Sequence, residues 1–504
     1  MKAIRTHELT PEALARLGQT ELLHIYNGLD CCVTHEVLDV IKPQLDNVTS
    51  ATYAFSKSLQ APVLEMRLRG VLVDERWRQE TIKSYERDLS AIAGNLNRIL
   101  LEGIGHPINW NSPAQLKHLL YHVMGLPIQK KRNQKGLYVE TADRDALEKL
   151  ESYFLAQPIV SHILALRDIG KKIGVLKTSI DPDGRMRTSY NIAGTTTGRF
   201  SSNLSDFGTG TNLQNIEERL RRPFIADPGM KFAYIDLEQA ESRLVGAIEW
   251  NLFGDGRYLD ACESGDLHTS VCRLAWTELG WTGDLKRDRE IADQPFYRQH
   301  SYRHMAKVLG HGTNYAGKPY TMAKHTKLES ALISQFQSKY FNAFPSHQRW
   351  HAAIQSELLT TGSHTTITGR RRWFFGRRND DSVVREAIAY GPQGAVGDIL
   401  NNGMLAVWRL GICQLLLQIH DAILIQYPEE REDEILPQVL KAILVPVELV
   451  NGRTLIIPSE AQVGWNWAKQ DDNNPDGLTK YRGNDPRKRT EGFTKLAGLL
   501  DRVY

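Results

Sequence analysis

The 504-residue sequence has few cysteines, no long apolar run and almost no net charge. Its five cysteines, Cys31, Cys32, Cys262, Cys272 and Cys413, form no CxxC pair and no zinc spacing, which excludes a disulfide-stapled scaffold and a zinc ribbon. His268 and Cys272 stand four apart, but two candidate ligands do not make a zinc site, and an ordinary helix face accounts for them. No run approaches the ~18 apolar residues of a membrane span. The opening MKAIRTHELTPEALARL lacks the continuous apolar stretch of a signal peptide, so a soluble cytoplasmic protein without a membrane partner is expected. The 62 Lys and Arg nearly cancel the 59 Asp and Glu, leaving +3. That excludes a histone-like chain, but not an enzyme whose positive charge is gathered in one cleft. No internal repeat or low-complexity block is present. At about 150 residues per domain the length allows roughly three domains.

What is present reads as helices and strands mixed without regular alternation, which favours α+β over a doubly wound sheet. Residues 11–45 read as helix after a Thr10-Pro11 start. An amphipathic helix runs from Asp74 to about Leu101, and Ser112-Pro113 opens a capped helix over 109–124. KKRNQKG (130–136) reads as a polar loop and DPDG (181–184) as a turn. MKFAYIDLE (230–238) reads as a buried strand running into a helix that ends near Glu249. Residues 296–325 and 383–408 read as helical, and 412–427 as two short strands meeting near His420-Asp421. The last 34 residues, from Asp471, are polar and turn-rich before a short apolar helix at 490–504. GRRRWFFGRR (369–378) sets five arginines around three aromatics, a pattern that suits either a solvated face or contact with phosphates and bases.

Two aspartates stand out because of what surrounds them. Asp236 ends an apolar strand, and Asp421 sits within the hydrophobic stretch 415–425. A carboxylate among aliphatics has to be paired, protonated or metal-bound. Either alone reads as a helix cap or a turn residue. Converging in one sheet, they suit a pair of Mg2+ ions ~3.5–4 Å apart for phosphoryl transfer. Arg303, Lys307, His311 and Tyr315 recur every four residues, so two cations and two rings share one helix face. Such a stripe suits a triphosphate followed by a base. Gly310 and Gly312 within it cost ~1 kcal/mol each relative to Ala, which points to close approach of another group or to mobility. TTTGRFSS (195–202), NLQN (212–215) and ERLRRPF (218–224) add Arg, Asn and Gln suited to phosphate and minor-groove contacts.

This ordered set resembles DNA polymerase family A, the DNA polymerase I type, and is most similar to phage members; the likeness spans roughly residues 20–468. DLEQAESR (236–243) resembles motif A, RHMAKVLGHGTNYAG (303–317) motif B, and QIHDA (418–422) motif C. TGRFSS with NLQN resembles the preceding primer-contact motif. The resemblance implies a right-hand fold of palm, fingers and thumb. It implies Asp236 and Asp421 as metal ligands, with Leu237 beside them, for two Mg2+ ions or Mn2+ in their place. Arg303, Lys307 and His268, the last within GDLHT, would hold the phosphates of an incoming dNTP. Lys307 is also implied as catalytic. His311, Tyr315 and Gln239 would line the nucleotide, and Glu241 matches the steric gate that crowds the sugar 2′ position. Arg199, Asn215, Arg243, Arg385, Gln393 and His420 match contacts to primer–template DNA. Asn109, Ser112 and Gln115 fit the family's NxxSxxQL pattern, and Arg167 with Lys171 fits its basic thumb helix.

The sequence departs from the pattern at several places. Ala422 follows Asp421 where motif C usually carries a second acid. His311 replaces the usual Phe or Tyr, and Ala389 stands where the family often has a DNA-contacting Asn. YNGLD (26–30) resembles the last motif of the 3′–5′ exonuclease, with Tyr26 and Asp30 in place, but only 25 residues precede it. The reading is therefore synthesis without proofreading, with the missing half lost or supplied by a separately encoded exonuclease subunit or replisome protein. The implied layout is an exonuclease remnant over 1–50 and a thumb with its connection over 51–180. Palm follows at 181–245, fingers at 246–384, palm again at 385–470, and a C-terminal extension at 471–504. Two other readings compete: a single-subunit RNA polymerase, which Glu241 opposes, and an inactive DNA-binding replication scaffold, which the intact Asp236, Asp421, Arg303 and Lys307 oppose.

Overall fold

The computed structural model describes Thr10 and residues 18–133, 135–298 and 300–483. The expected Thr10-Pro11 helix start and the apolar helix at 490–504 fall, beyond Thr10 itself, outside the described residues. The chain opens with α1 (Gln19–Ile41), which buries none of its side chains. A long helix pair follows. Helix α2 (Glu75–Ile104) begins where the Asp74 carboxylate accepts the Trp77 amide at 3.0 Å and ends at Gly105 in the left-handed region. It packs along α3 (Gln157–Leu176). Leu96, Leu100, Leu116, Leu147, Ile163 and Leu166 close a separate core at the outer end of this pair.

Next come β1 (Met230–Leu237) and α4 (Ala240–Phe253), as the sequence pattern predicts. Helices α5 (Leu267–Ala275), α6 (Tyr302–Asn314), α7 (Ser330–Ala343) and α8 (Ser346–Thr361) build a second core around Tyr258, Phe336, Tyr340 and Trp350. The chain returns through α9 (Asp381–Leu410) to β2 (Gln414–Ile419), β3 (Ala422–Pro428), β4 (Ser459–Gly464) and β5 (Thr479–Lys480).

The five labelled strands form one antiparallel sheet in the order β2-β3-β1-β4-β5. Period-two alternation gives it two buried faces. Ala233, Ile235 and Leu237 pack with Ile423, Ile425, Val463 and α9 residues such as Ile399. Phe232 and Tyr234 pack on the opposite side with Leu424, Leu417 and Trp467. Asp236 continues that second side beyond the apolar rows, which puts its carboxylate at the end of the sheet.

Three sequence expectations change. KKRNQKG is not wholly loop: Lys130–Arg132 pairs with Tyr138–Glu140 as a hairpin, because β-branched and aromatic residues at 138–139 favour extended backbone. The segment 296–325 is not one helix. It opens with a short strand pair, and after Asn314 the backbone turns through Ala316 at φ 54° before Pro319–Thr326 resumes as helix. Gly310 and Gly312 lie inside α6, which runs unbroken through both. The close approach expected of them is present: a Cβ on Gly312 would stand 2.7 Å from Met322 Cε, and one on Gly310 3.5 Å from the Tyr340 ring. The segment from Asp471 also contributes to the sheet, since Thr479–Lys480 hydrogen-bonds to β4 as its outer strand.

Candidate active site

The turn between β2 and β3 is as tight as a hairpin allows. Ile419 pairs with Ala422, leaving His420 and Asp421 as the loop. His420 takes φ 52°, the left-handed conformation that a turn matching the strand twist requires. Its carbonyl accepts the Gln418 side chain at 2.8 Å. The Asp421 carbonyl accepts the Leu237 amide at 3.2 Å, which locks this turn to the end of β1. Gln239, at φ 53°, turns the chain from β1 into α4. Left-handed non-glycine residues cost of order 1 kcal/mol or more each, and here Gln239 lines the cleft while His420 and Ala316 stand next in sequence to Asp421 and Tyr315. Strand pairing and these turns bring Asp236 and Asp421 together.

The cleft has a volume of about 370 Å³ and is lined by Asp236, Asp421, Gln239, Glu241, His268, Lys307 and His311 among others. Burial, then the charges of Asp421 and Glu460, push the Asp236 carboxyl up to about 6. Asp421 is raised by burial and partly relieved by Arg199. Arg199 bridges Asp421 at 3.1 Å and Glu241 at 2.7 Å. Glu241 also accepts the Tyr315 hydroxyl and lies 3.4 Å from His311 Nε2. The His311 and Tyr315 rings meet edge to face at 4.9 Å.

The α6 stripe faces this cleft with its charges handled differently. Arg303 makes two hydrogen bonds to Asp266, at 2.9 and 3.2 Å, and Asp266 in turn caps α5. Lys307 is exposed, and its charge reaches Asp236 and draws that pKa down against the other causes. Burial, then the neighbouring Arg303, lowers His268 to about 4, so its imidazole is neutral near pH 7.

Arg199 reaches the cleft because α9 is small where the 195–199 loop crosses it. A Cβ on Gly394 would lie 3.2 Å from the Thr197 carbonyl, and one on Gly397 3.2 Å from Arg199 Cγ. Gly198 itself needs φ 80° and has no room for a side chain against Arg370. Arg370 is held by Asp398 at 2.6 Å. Much of the GRRRWFFGRR charge is likewise spent internally, Arg371 on Asp46 and Arg372 on Glu386.

Other expected DNA contacts lie apart from this cluster. Arg243 is 5 % exposed and donates to the Glu238 carbonyl at 3.1 Å, so it is buried rather than presented to the groove. Asn215 is exposed, whereas its neighbour Gln214 is buried and bonds the Gln418 side chain at 2.7 Å. Arg385 pairs with Asp381 at 2.6 Å, and Gln393 is half-buried on α9. Arg167 donates to the Ala142 carbonyl at 2.8 Å, and Lys171 pairs with Glu217 at 2.8 Å, both on α3 away from the cleft. Asn109, Ser112 and Gln115 act locally: Ser112 caps Pro113–Lys117, and Gln115 accepts the Asn109 amide at 2.7 Å.

Sequence reasoning missed Asp266, Gln214, Gln418 and Glu460. Asp266 lies two residues before His268, and Gln214 and Gln418 lie within the quoted motifs, so a local signal existed for all three. Glu460 had none; only pairing with β1 brings it beside Asp236.

The residues present fit divalent metal. Asp236 and Asp421 are hard oxygen donors, the first without an ion-pair partner among the described residues and the second sharing Arg199 with Glu241, and the buried side chain of Leu237 leaves its backbone carbonyl as the group it offers. Gln239 Oε1 and Arg199 Nε are buried without a partner among the described residues, as at a site shaped for something else to bind. Among the described residues no three His, Cys, Asp or Glu side chains form a ready-made cage, so an ion here would need non-protein ligands as well.

The mixed α+β fold thus sets two carboxylates at one end of an antiparallel sheet, opposite a helix face that carries cations. The chain belongs to DNA polymerase family A, whose model matches residues 79–469. It is 28 % identical over 443 residues to the thermostable DNA polymerase I of Thermus filiformis, covering 82 % of this chain and 48 % of that one. DNA polymerase I of Chloroflexus aurantiacus is 28 % identical over 472 residues, covering 88 % and 46 %. The chain thus spans about half the length of the curated relatives it matches. The fold is similar to the POL domain of Pol1 from M. smegmatis in complex with DNA primer-template and dNTP. That match has a TM-score of 0.68 at 23 % identity and covers 88 % of this chain and 74 % of that one. The expected mixed α+β architecture is borne out. Family A polymerases use Mg2+. Among the described residues no helix is long and apolar enough to cross a membrane.

Proposed function

We propose that the chain is a template-directed DNA polymerase that adds deoxynucleotides to a primer 3′-OH and releases pyrophosphate. The observation that carries this is the convergence of Asp236 and Asp421 at one sheet end, in a cleft that Lys307 and His268 also line. Asp236 and Asp421, with the Leu237 carbonyl, would hold Mg2+, or Mn2+ in its place. When bound, the metal pair supplies charge neutralisation to the attacking and leaving oxygens. The remaining work is positioning. Lys307 and Arg303 bind the triphosphate as cations, and neutral His268 donates a hydrogen bond to it. Tyr315 and His311 border the base and sugar, Gln239 offers its buried carbonyl oxygen, and Glu241 crowds the 2′ position. Arg199, now shared between Asp421 and Glu241, would turn to the primer terminus. His420, Asn215, Arg385 and Gln393, with Arg167 and Lys171 on the thumb, would follow the primer–template. Buried Arg243 would support this surface from beneath.

The domain layout given above, with fingers at 246–384 and palm on both sides, belongs to this reading. So does the likeness of Tyr26 and Asp30, both on α1, to the last motif of a 3′–5′ exonuclease. The likeness of the motifs to phage members supports a place in phage DNA replication.

Asp236→Ala and Asp421→Ala should each reduce primer extension by about 10³-fold or more, the scale of lost charge stabilisation. Primer–template affinity should stay within a few-fold. Synthesis retained in either variant would overturn the assignment. Glu241→Ala should raise ribonucleotide incorporation relative to deoxynucleotide by about tenfold or more, the scale of a sterically enforced preference. A wild type that prefers ribonucleotides would make it an RNA polymerase.

A further inference from the structure

The sheet register places a third carboxylate beside the site. Asp236 on β1 pairs directly with Ala422 on β3 and with Glu460 on β4. Directly opposed residues of an antiparallel pair project to the same face, with Cβ atoms roughly 4.5–5.5 Å apart. One rung therefore reads Ala422, Asp236, Glu460. The side where motif C usually carries its second acid is a methyl group, and the opposite side carries a carboxylate.

Two acids facing each other across a ladder repel, and the sheet gains nothing from them unless a cation is shared. Glu460 is not buried for packing: its side chain is 32 % exposed. Its Oε2 meets Lys480 Nζ of β5 at 3.0 Å, while Oε1 makes no hydrogen bond to a described residue. An exposed Lys–Glu pair contributes only about 0–1 kcal/mol, so stability alone does not account for an acid at this rung.

We propose that Glu460 is a positioning residue of the metal site, supplying from β4 the negative charge that Ala422 does not supply from β3, with Lys480 moderating it. This rests on the polymerase reading of Asp236 and Asp421. Glu460 acts through Asp236: its field keeps that carboxylate a strong cation site and orients it from the far side. Lys480 withdraws part of that field, so the two residues have opposite signs of effect on metal affinity.

The test uses the full chain as wild type, Glu460→Gln, Glu460→Asp and Lys480→Gln. Mn2+ binding to the protein is followed by the electron paramagnetic resonance of free Mn2+, and the Mg2+ dependence of primer extension is measured at saturating DNA and dNTP. Extension by wild type confirms the polymerase reading independently of what the variants do. The expected result is that Glu460→Gln weakens Mn2+ binding and raises the half-saturating Mg2+ concentration about tenfold, the lower end for outer-sphere groups. Glu460→Asp should remain within about threefold of wild type, since it keeps the charge. Lys480→Gln should shift both readouts the other way, to tighter metal. A structural role would move neither readout, or move both variants in the same direction. Metal dependence of Glu460→Gln within twofold of wild type, or loosened metal in Lys480→Gln, would overturn the proposal while leaving the wild-type activity standing.

Discussion

At the scale of single residues the site is held by charges that do not cancel. Asp236 is raised from 3.8 to about 6 by burial and by the Asp421 and Glu460 charges. Its native state therefore binds a proton more tightly than its unfolded state. Between these two values stability falls as pH rises, and the penalty persists at neutral pH. Asp236→Asn should remove that penalty along with the activity. Because the Asp236 carboxylate opens to solvent at the cleft, screening reduces this penalty, so the variant's thermal midpoint at pH 7.5 should exceed that of wild type by no more than about 1 °C, and the gain should fade as pH falls through 3.8, where the unfolded state takes up the proton as well. Differential scanning calorimetry at the two pH values checks this; a gain that persists at pH 3.5 would place its origin elsewhere. The strained backbone at Gln239, Ala316 and His420 belongs to the same pattern, with conformational cost accepted where side chains must be aimed.

At the scale of elements, close approach decides what can be tolerated. Helix α4 carries Glu241 at its start, and its middle packs against the Arg257–Glu263 helix at Gly246. A Cβ there would stand 2.7 Å from the Leu259 Cα and backbone nitrogen. Backbone cannot swing aside as a side chain can, so Gly246→Ala should cost about 1–3 kcal/mol, read as a lower urea midpoint. The shift of α4 should also lower extension, because it carries Glu241 away from Arg199 and Tyr315. An unchanged midpoint would mean the two helices separate freely.

The local elements were largely legible. Alternation and an abrupt polar residue marked β1 and the β2–β3 hairpin, and Asp74 and Ser112 marked helix starts, since strand and cap signals are carried by neighbouring residues. Where 296–325 was expected as one helix, the sequence pattern gave no sign of the left-handed turn at Ala316. That turn is imposed by packing of Gly317 against the Gly312 carbonyl. Arg243 looked available because its motif is polar, yet its place on α4 turns it inward.

At the scale of the whole molecule, a buried polar cluster ties α6, α7 and α8 to α4, the helix that follows β1. His347 and Glu249 are 0 % and 1 % exposed and approach to 2.7 Å without hydrogen-bond alignment. His347 Nε2 also meets Asn314 Oδ1 at 2.9 Å, and Asn314 bonds Tyr258 and Tyr340. Five helices meet in this cluster: α4, the Arg257–Glu263 helix, α6, α7 and α8. Truncating one member leaves a buried acid without its partner. His347→Ala should therefore destabilise the chain by about 3–5 kcal/mol, measured by chemical denaturation; a loss below 1 kcal/mol would show that water replaces the imidazole.

The sequence by itself determined the elements that hold the chemistry: a strand ending in Asp236, a hairpin tip at Asp421, and one helix face bearing Arg303, Lys307 and His311. These are written in short-range periodicity, and short-range periodicity is what a one-dimensional pattern can carry. Only the tertiary structure decided which charges meet. It spent Arg303 on Asp266 and Arg199 on Asp421 and Glu241, buried Arg243, and set Glu460 across the ladder from Asp236. Such pairings join residues tens to hundreds of positions apart through strand register and helix packing, and no local pattern encodes the register of strands that distant.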